Sequence, residues 1–595
     1  MGRGDHMKAS DYIVEFLAAH GVSICFGYSG GAITHIMDSL QRAKGICFIQ
    51  TYHEQTAAIA AEGVSWFGHT VGVAIATSGP GATNLLTGIA DAYFDSIPSL
   101  FITGQVNTYE YKNDKPIRQQ GFQETDIVSI VKPIIKYAAL VVDATRLRYE
   151  LEKAWAIAKS GRGGPVLLDI PMDVQRADVT PDDLVPYDGN EAACSASIKY
   201  MGGFSEEKLK SLIANAERPI VLLGSGVFLS GSVAQYRAFI QSNGLPVVTS
   251  LLGKGAYPED DPLCVGMIGS YGNRCANIAV ANADLVLAVG TRLDTRQTGT
   301  NLASFVREGR IVRIDIDETE LTNHRLKNVD SVLGDAGEAL HRLVDMPWAR
   351  KSDSWSRYIA RLKSEYGQEA EIARNVENRM PYSIMKALNR FSAGNHIYTV
   401  DIGQNQMFAA QMIRIREGQE WKTSGGLAPM GFSLPAAIGA AFATNMARPI
   451  FAIVGDGGLH MSMQSLLLIS QYRLPIKIIL LNNHSLGMIT QFQDLYFDKR
   501  KSGTTKESGY LVPEFSLIAR ACGLPYALFT GDDFDVGDAL GDVITAPGPG
   551  LIEFDVGEDT AVYPKLEVNM PIEDIGPKLS PEELRSAMII DVLKQ

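Results

Sequence analysis

The chain has 595 residues, with 67 acidic against 54 basic side chains and a formal net charge of −13 at pH 7. That balance argues against nucleic acid or an anionic membrane as a partner, and 46% hydrophobic with 20% charged residues is ordinary for a globular enzyme. The length exceeds what one hydrophobic core serves and predicts three or four domains.

No uninterrupted apolar run reaches bilayer-spanning length; the charge-free stretch 423–447 holds several glycines and Pro435, and is expected to form a buried loop and helix. The six cysteines (Cys25, Cys47, Cys194, Cys264, Cys275, Cys522) lack CxxC spacing, which points to free buried thiols in a reducing cytoplasm. The opening MGRGDHM reads as an appended leader, with Met7 a plausible native start.

From Met7 to about Asp178 helices and strands alternate. Residues 11–19 form an amphipathic helix that stops at His20-Gly21. Apolar strands are expected at 24–26, 48–51, 71–76, 99–103 and 165–170, with Gly27-Tyr28-Ser29-Gly30-Gly31-Ala32 and Thr77-Ser78-Gly79-Pro80-Gly81 as turns. His53-Glu54 opens an alanine-rich helix whose small side chains allow close packing. This alternation predicts a doubly wound parallel sheet.

Residues 176–204 carry Pro181, Pro186 and Gly189 with little periodicity, and read as a linker. PIVLLGSG, residues 219–226, opens a second α/β domain; its GxG turn is a weak dinucleotide signal without the full fingerprint. A charged helical spacer, 348–379, precedes a third domain, in which strand 397–401 runs into Gly403-Gln404-Asn405-Gln406-Met407. The densest signal follows. Strand 450–454 ends in Gly455-Asp456-Gly457-Gly458, a helix places Met463, Leu466 and Leu467 on one face, and strand 476–481 ends in Asn482-Asn483. In a parallel βαβ unit both turns emerge at the carboxyl edge, where open α/β sheets bind ligands. A carboxylate beside an amide oxygen suits Mg²⁺, and glycines let backbone N–H groups approach a phosphate. An ordinary βα turn with a buried Asn cap would use the same residues.

The GDG turn, a βα segment and NN resemble the diphosphate and metal motif of thiamine diphosphate (ThDP) enzymes. HEQTAAIAAEG (53–63) followed by TSGPGATN (77–84) resembles the pyrimidine-binding half of the acetohydroxyacid (acetolactate) synthase family. The resemblance runs from about 7 to 555 and implies an α/β fold of three doubly wound parallel-sheet domains. These would be a pyrimidine-binding domain (7–178), a central FAD-type domain (205–345) and a diphosphate domain (375–560), followed by a tail (561–595). It implies Asp456, Asn483 and the Ser485 carbonyl as Mg²⁺ ligands. Gly455, Gly457, Gly458, Gln404, Asn405 and Met488 would surround the diphosphate, with Met430 beneath the cofactor and Tyr28, Pro80 and Asn84 on its pyrimidine side. Glu54 would hydrogen-bond the aminopyrimidine and drive the tautomer that removes the thiazolium C2 proton; read alone, it is a dipole-satisfying group at a helix start. Gly31, in a loop resembling FGYPGGA with Ser29 in place of Pro, would border the reacting centre. Phe122 and Gln123, within QQGFQETD, would lie over it. A structural FAD is implied near Arg162, Gly224, Gly226, Leu252, Arg292, Asp315 and Asp335.

Arg296 matches an arginine that recognises the acceptor's carboxylate in this family, a grip that a guanidinium can make bidentately. Several positions depart from the family pattern: Met172 stands for Lys, Thr295 for Asp, Asn405 for His, Phe408 for Trp and Phe492 for Trp. The implied activity is decarboxylation of pyruvate and addition of its two-carbon unit to a ketone, giving acetolactate when the acceptor is a second pyruvate. PKLEVNMPIEDIGPKLSPEEL (564–584) resembles synthase-like proteins of polysaccharide gene clusters, so acetyl transfer to a nucleotide-linked 4-ketosugar is the alternative. A pyruvate oxidase-like flavoenzyme would share both cofactors. The family also implies a homodimer or homotetramer with shared sites, while the sequence is silent on a regulatory subunit.

Overall fold

In the computed structural model, residues 6–189, 198–348, 353–392, 394–530 and 538–593 are described. The apolar strands of the first part assemble into a six-stranded all-parallel sheet. Its spatial order is Cys47–Gln50, Ile24–Gly27, Gly72–Ala76, Ser99–Gln105, Pro165–Pro171, Tyr137–Leu140. The last part repeats that order with its own strands: Glu420–Thr423, Ile397–Val400, Ile450–Gly455, Ile476–Asn482, Gly550–Asp555, Tyr526–Thr530. In both sheets the first strand in sequence lies between the second and the third, so chain direction reverses there. Loops at that reversal point flank a crevice. Strands such as Ile476–Asn482 are apolar and buried throughout because helices cover both faces.

The central sheet has seven strands, ordered Cys264–Met267, Val247–Thr249, Pro219–Leu223, Leu285–Val289, Arg310–Asp315, Val329–Leu333 and an antiparallel Lys199–Tyr200. Its reversal point lies between Pro219–Leu223 and Leu285–Val289. The segment read as a linker is therefore structured at both ends, since Asp178–Val179 also pairs with Met7–Lys8. The charge-free stretch does form a buried helix, Ser433–Ala443. Among the described residues no helix is long and apolar enough to cross a membrane.

Three details differ from expectation. The helix after the GDG turn is broken into Asp456–Ser462 and Ser465–Gln471, which rotates the second piece and leaves Leu467 44% exposed. Cys47 is exposed because Cys47–Gln50 is an edge strand, whereas Cys25, Cys264 and Cys275 are buried and Cys522 is half-buried. Cys194 lies outside the described residues.

The outer domains meet through helix Glu54–Gly68, which crosses helix Ser433–Ala443 almost backbone to backbone. A Cβ on Gly63 would lie 2.6 Å from the Ala436 carbonyl oxygen, and one on Gly439 would lie 2.1 Å from that of Ala60. Beside the crossing, fully buried Lys422 donates to Asp95 at 3.2 Å, lies 3.2 Å from Glu62, and sits 4.6 Å from the Trp66 ring centroid. Burial opposes the Lys422 charge, but Asp95 and Glu62 hold its pKa above the usual lysine value. Three carboxyls cannot all ionise beside one ammonium in a dry interior. Asp91 is raised well above the carboxylate range by burial and by Glu62 and Asp95, and burial raises Glu62 as well.

The C-terminal segment straps the central domain to the last one. Fully buried Arg274 donates to both carboxylate oxygens of Glu371, at 2.8 and 3.1 Å, and to the carbonyls of Ile575 and Pro577. Replacing Lys422 by Met would strand Glu62 and Asp95 in the junction. The expected loss is about 3–5 kcal/mol, read as a lower thermal midpoint; an unchanged midpoint would rule out this cluster as a source of domain cohesion.

Candidate active site

The last sheet places its two reversal-point turns side by side. Asp456 is the first residue of a helix, held by strand Ile450–Gly455, and Asn483 follows the neighbouring strand Ile476–Asn482. Asp456 is 2% exposed, and burial pushes its carboxyl up to about 6. Its Oδ1 accepts from the Gly457 N–H at 2.8 Å, whereas Oδ2 is buried without a well-formed hydrogen bond. The Tyr510 hydroxyl lies close enough to favour the charged carboxylate. Asn483 Nδ2 donates to Gln404 Oε1 at 3.1 Å and Thr560 Oγ1 at 3.0 Å, which commits both amide protons and leaves Oδ1 as the accepting end. The Ser485 N–H reaches that oxygen only at 3.4 Å.

An unsatisfied buried carboxylate oxygen, an oriented amide oxygen and a nearby backbone carbonyl fit a hard divalent cation. Among the described residues no group of three His, Cys, Asp or Glu side chains could hold a metal, so any ion here relies on this mixed oxygen set. Asp401 shapes the facing wall: it accepts from the N–H groups of Gly431 at 2.9 Å and Ser433 at 2.8 Å, fixing the loop that carries Met430. A Cβ on Gly457 would lie 2.7 Å from Met430 Cε, so the glycine lets that side chain approach the turn.

A cavity of about 450 Å³ joins this region to the central domain. On one side it is lined by Gln404, Asn405, Met430, Gly455, Asp456, Gly457, Gly458, Asn483, Ser485 and Met488. On the other it is lined by Arg162, Gly226, Leu252, Arg292, Asp315 and Asp335, with Arg296 also on its wall. It thus runs through the central sheet's reversal point, past Ser225, Gly226, Gly290 and Thr291. The Gly226 and Gly290 N–H groups already donate to backbone carbonyls, so a phosphate here would rely on the Ser225 hydroxyl and the Arg162 and Arg292 guanidiniums, while the carboxyls of Asp315 and Asp335 suit ribose hydroxyls. A dinucleotide-like cofactor fits that set. Gly224 stands behind the wall, where a Cβ would lie 2.2 Å from the Gly290 carbonyl oxygen, so its smallness serves strand packing. Asp335 also caps helix Ala336–Val344, and Arg162 bridges Asp317 at 3.1 Å and Glu320 at 2.9 Å.

A second cluster surrounds the turn 77–84 of the first domain. Asn84 Nδ2 donates to Glu54 Oε2 at 2.9 Å, and a Cβ on Gly81 would lie 3.1 Å from Glu54 Oε1. Gly79, at φ +61°, abuts Gln123, where a Cβ would lie 2.9 Å from Gln123 Cβ. The N–H of Ala32, next to Gly31, donates to Thr77 Oγ1 at 3.1 Å. Glu54 is buried, but Phe122 is 86% exposed and Tyr28 39%. None of Tyr28, Gly31, Glu54, Pro80, Asn84, Phe122 or Gln123 lines the cavity that holds Asp456. Met172, at the end of strand Pro165–Pro171, and Phe492, one turn beyond Met488, do not line it either.

Three family models match along the chain: the N-terminal TPP binding domain of thiamine pyrophosphate enzymes over residues 7–130, their central domain over 207–343, and their C-terminal TPP binding domain over 401–554. The chain belongs to the thiamine pyrophosphate enzymes. It is 36% identical to acetolactate synthase 2, chloroplastic, of Nicotiana tabacum over 96% of this chain and 85% of that protein. It is 34% identical to the acetolactate synthase large subunit of Lactococcus lactis over 96% of each. A third relative, the large subunit from Pyropia yezoensis, is 36% identical over 93% and 92%.

Thr560, Tyr510 and Asp401 were not singled out in the sequence. Asp401 ends a predicted strand, a position that could have flagged it, whereas Thr560 sits in an aperiodic loop and carries no local signal. Replacing Asp456 by Asn should weaken Mg²⁺-dependent ThDP binding by at least about tenfold, read as loss of the Mg²⁺-dependent part of the ThDP-induced thermal shift. Retention of that part would remove Asp456 from metal binding.

Proposed function

We propose that this enzyme decarboxylates pyruvate and joins the remaining two-carbon acyl unit to a ketone, with ThDP, Mg²⁺ and a structural FAD bound. The observation that carries this reading is the pairing of two half-sites on sheets of identical strand order. One half presents the Asn84–Glu54 hydrogen bond beside a glycine turn, and the other presents Asp456, Asn483 and Ser485 at a helix start.

ThDP, when bound, would supply a nucleophilic carbon and an electron sink for the decarboxylation of a 2-ketoacid. Asp456, the Asn483 amide oxygen and the Ser485 carbonyl would hold Mg²⁺, and the glycines of the turn leave the helix start open to a diphosphate. Glu54 would pass a proton to and from the pyrimidine: Asn84 occupies Oε2, and the bare Gly81 leaves room before Oε1. Pyruvate and a ketone yield a hydroxyketone and CO₂ without net electron transfer, so FAD bound between Arg162 and Asp335 has a structural role.

Because the Glu54 cluster does not line the Asp456 cavity, and Phe122 projects outward, we assign the chain to a homodimer, or a dimer of dimers, whose subunits complete each other's sites. Arg296 is exposed, lines the cavity and lies 5.7 Å from the Tyr271 ring centroid, which favours an anionic acceptor such as a second pyruvate, giving acetolactate. Phe492 is 45% exposed and leaves that side open, which favours a larger acceptor such as a nucleotide-linked 4-ketosugar as the second reading.

Glu54→Gln should retain ThDP yet lose carboligation by roughly a hundredfold or more; a fully active variant would sink the proton-transfer role. Supplied with ¹³C-pyruvate, ThDP, Mg²⁺ and FAD, the enzyme is expected to label hydroxyketone products. Product with 2-ketoacids supports acetolactate formation, product only with ketosugar supports the second reading, and oxygen consumption with flavin bleaching would instead indicate an oxidase.

A further inference from the structure

The C-terminal segment delivers a second cation to the acceptor end. Lys565 is held on both sides of its backbone. Its N–H donates to the Gly576 carbonyl at 2.8 Å and its carbonyl accepts from the Gly576 N–H at 2.9 Å, while the next N–H, of Leu566, donates to Ser270 on the cavity wall at 2.7 Å. Its backbone is therefore fixed beside the cavity wall, and Lys565 is only 8% exposed. The Nζ lies 5.8 Å from the Phe492 ring centroid and 5.5 Å from that of Tyr496. Arg296 takes the equivalent place over Tyr271. Two cations and three aromatic rings thus form one cluster beside the cavity.

That cluster lacks a matching anion. Among the described residues no carboxylate comes within 4 Å of Lys565 or Arg296 in an ion pair, and exposed Glu567 acts on Lys565 only from a distance. Burial pushes the Lys565 pKa down; Glu567 partly opposes this, and the Arg296 charge adds a smaller push downward. A buried ammonium without a close carboxylate is costly unless an anion binds it, and Lys565 is in that position while Arg296 is exposed. Ring faces offset part of that cost, by about 0.5–2 kcal/mol each, but do not neutralise charge.

We propose that Lys565 is a specificity-determining residue that, together with Arg296, holds the anionic oxygens of the acceptor, whether the carboxylate of a 2-ketoacid or the diphosphate of a nucleotide sugar. This inference rests on the carboligase reading above. It adds to Arg296 a residue from a different part of the chain and assigns the C-terminal segment a part in acceptor choice.

The test compares wild type, Lys565→Met and Lys565→Arg as holoenzymes, with saturating pyruvate as donor and 2-ketobutyrate, a nucleotide-linked 4-ketosugar or neutral 2,3-butanedione as acceptor. The Met variant should raise KM for the anionic acceptor in use by about tenfold or more, the loss of one charge-assisted contact, with kcat and the butanedione parameters nearly unchanged. Arg should restore most of the loss. Whichever anionic acceptor responds identifies the source of the oxyanion. Circular dichroism and CO₂ release from pyruvate alone verify that each variant is folded and its donor half intact. Equal losses for neutral and anionic acceptors, or no change for any, would overturn the role of Lys565. Absence of ligated product from wild type with every acceptor would overturn the carboligase reading itself.

Discussion

The distance at which two helices can pass governs this molecule. Glu54–Gly68 and Ser433–Ala443 cross where Gly63 and Gly439 have no side chains, and any Cβ at either position would collide with a carbonyl of the opposite helix. That approach buries nearly every residue of both helices and brings Lys422 between Glu62 and Asp95. Apolar packing sets the spacing and the buried charge sets the register, since an ammonium out of line with its carboxylates would cost several kcal/mol. Glu54 begins one of these helices. The placement of a catalytic candidate therefore depends on alanines and glycines some three turns away.

The same junction explains why the sequence was informative in some places and silent in others. Strand–glycine–helix turns are local, so Gly455-Asp456-Gly457-Gly458 and the turn 77–84 were legible from residue type and order alone. The alanine-rich helix was legible as a close-packing element for the same reason. Thr560 and Lys565 act through contacts with residues tens to hundreds of positions away, on segments without periodicity, and no local pattern marks them. Leu467 was misplaced because the helix breaks before it, and Cys47 because an edge strand cannot be told from a central one by its own four residues. At Gly224 the structure adds a packing reason for the glycine, since a Cβ there would meet the Gly290 carbonyl oxygen beside the neighbouring parallel strand.

The two outer sheets share one strand order, yet within the chain their reversal points are separated, one lined by Glu54 and Asn84 and the other by Asp456 and Asn483. The pairing that buries the helix crossing is thus different from the pairing that would face the two half-sites toward each other. Domain cohesion and site assembly use different surfaces. A substitution can disturb one and spare the other.

The strap formed by residues 556–577 ties the last domain to the central one: Thr560 orients Gln404 and Asn483, Leu566 is bonded to Ser270, and Arg274 grips the carbonyls of Ile575 and Pro577. A ribosome releases this stretch only after all three sheets have been made, and domains fold in that order as they emerge. The Asn483 amide consequently gains one of its two anchors only after all three sheets have been made. Until then a nascent chain has its folded layers but not its finished metal-facing geometry.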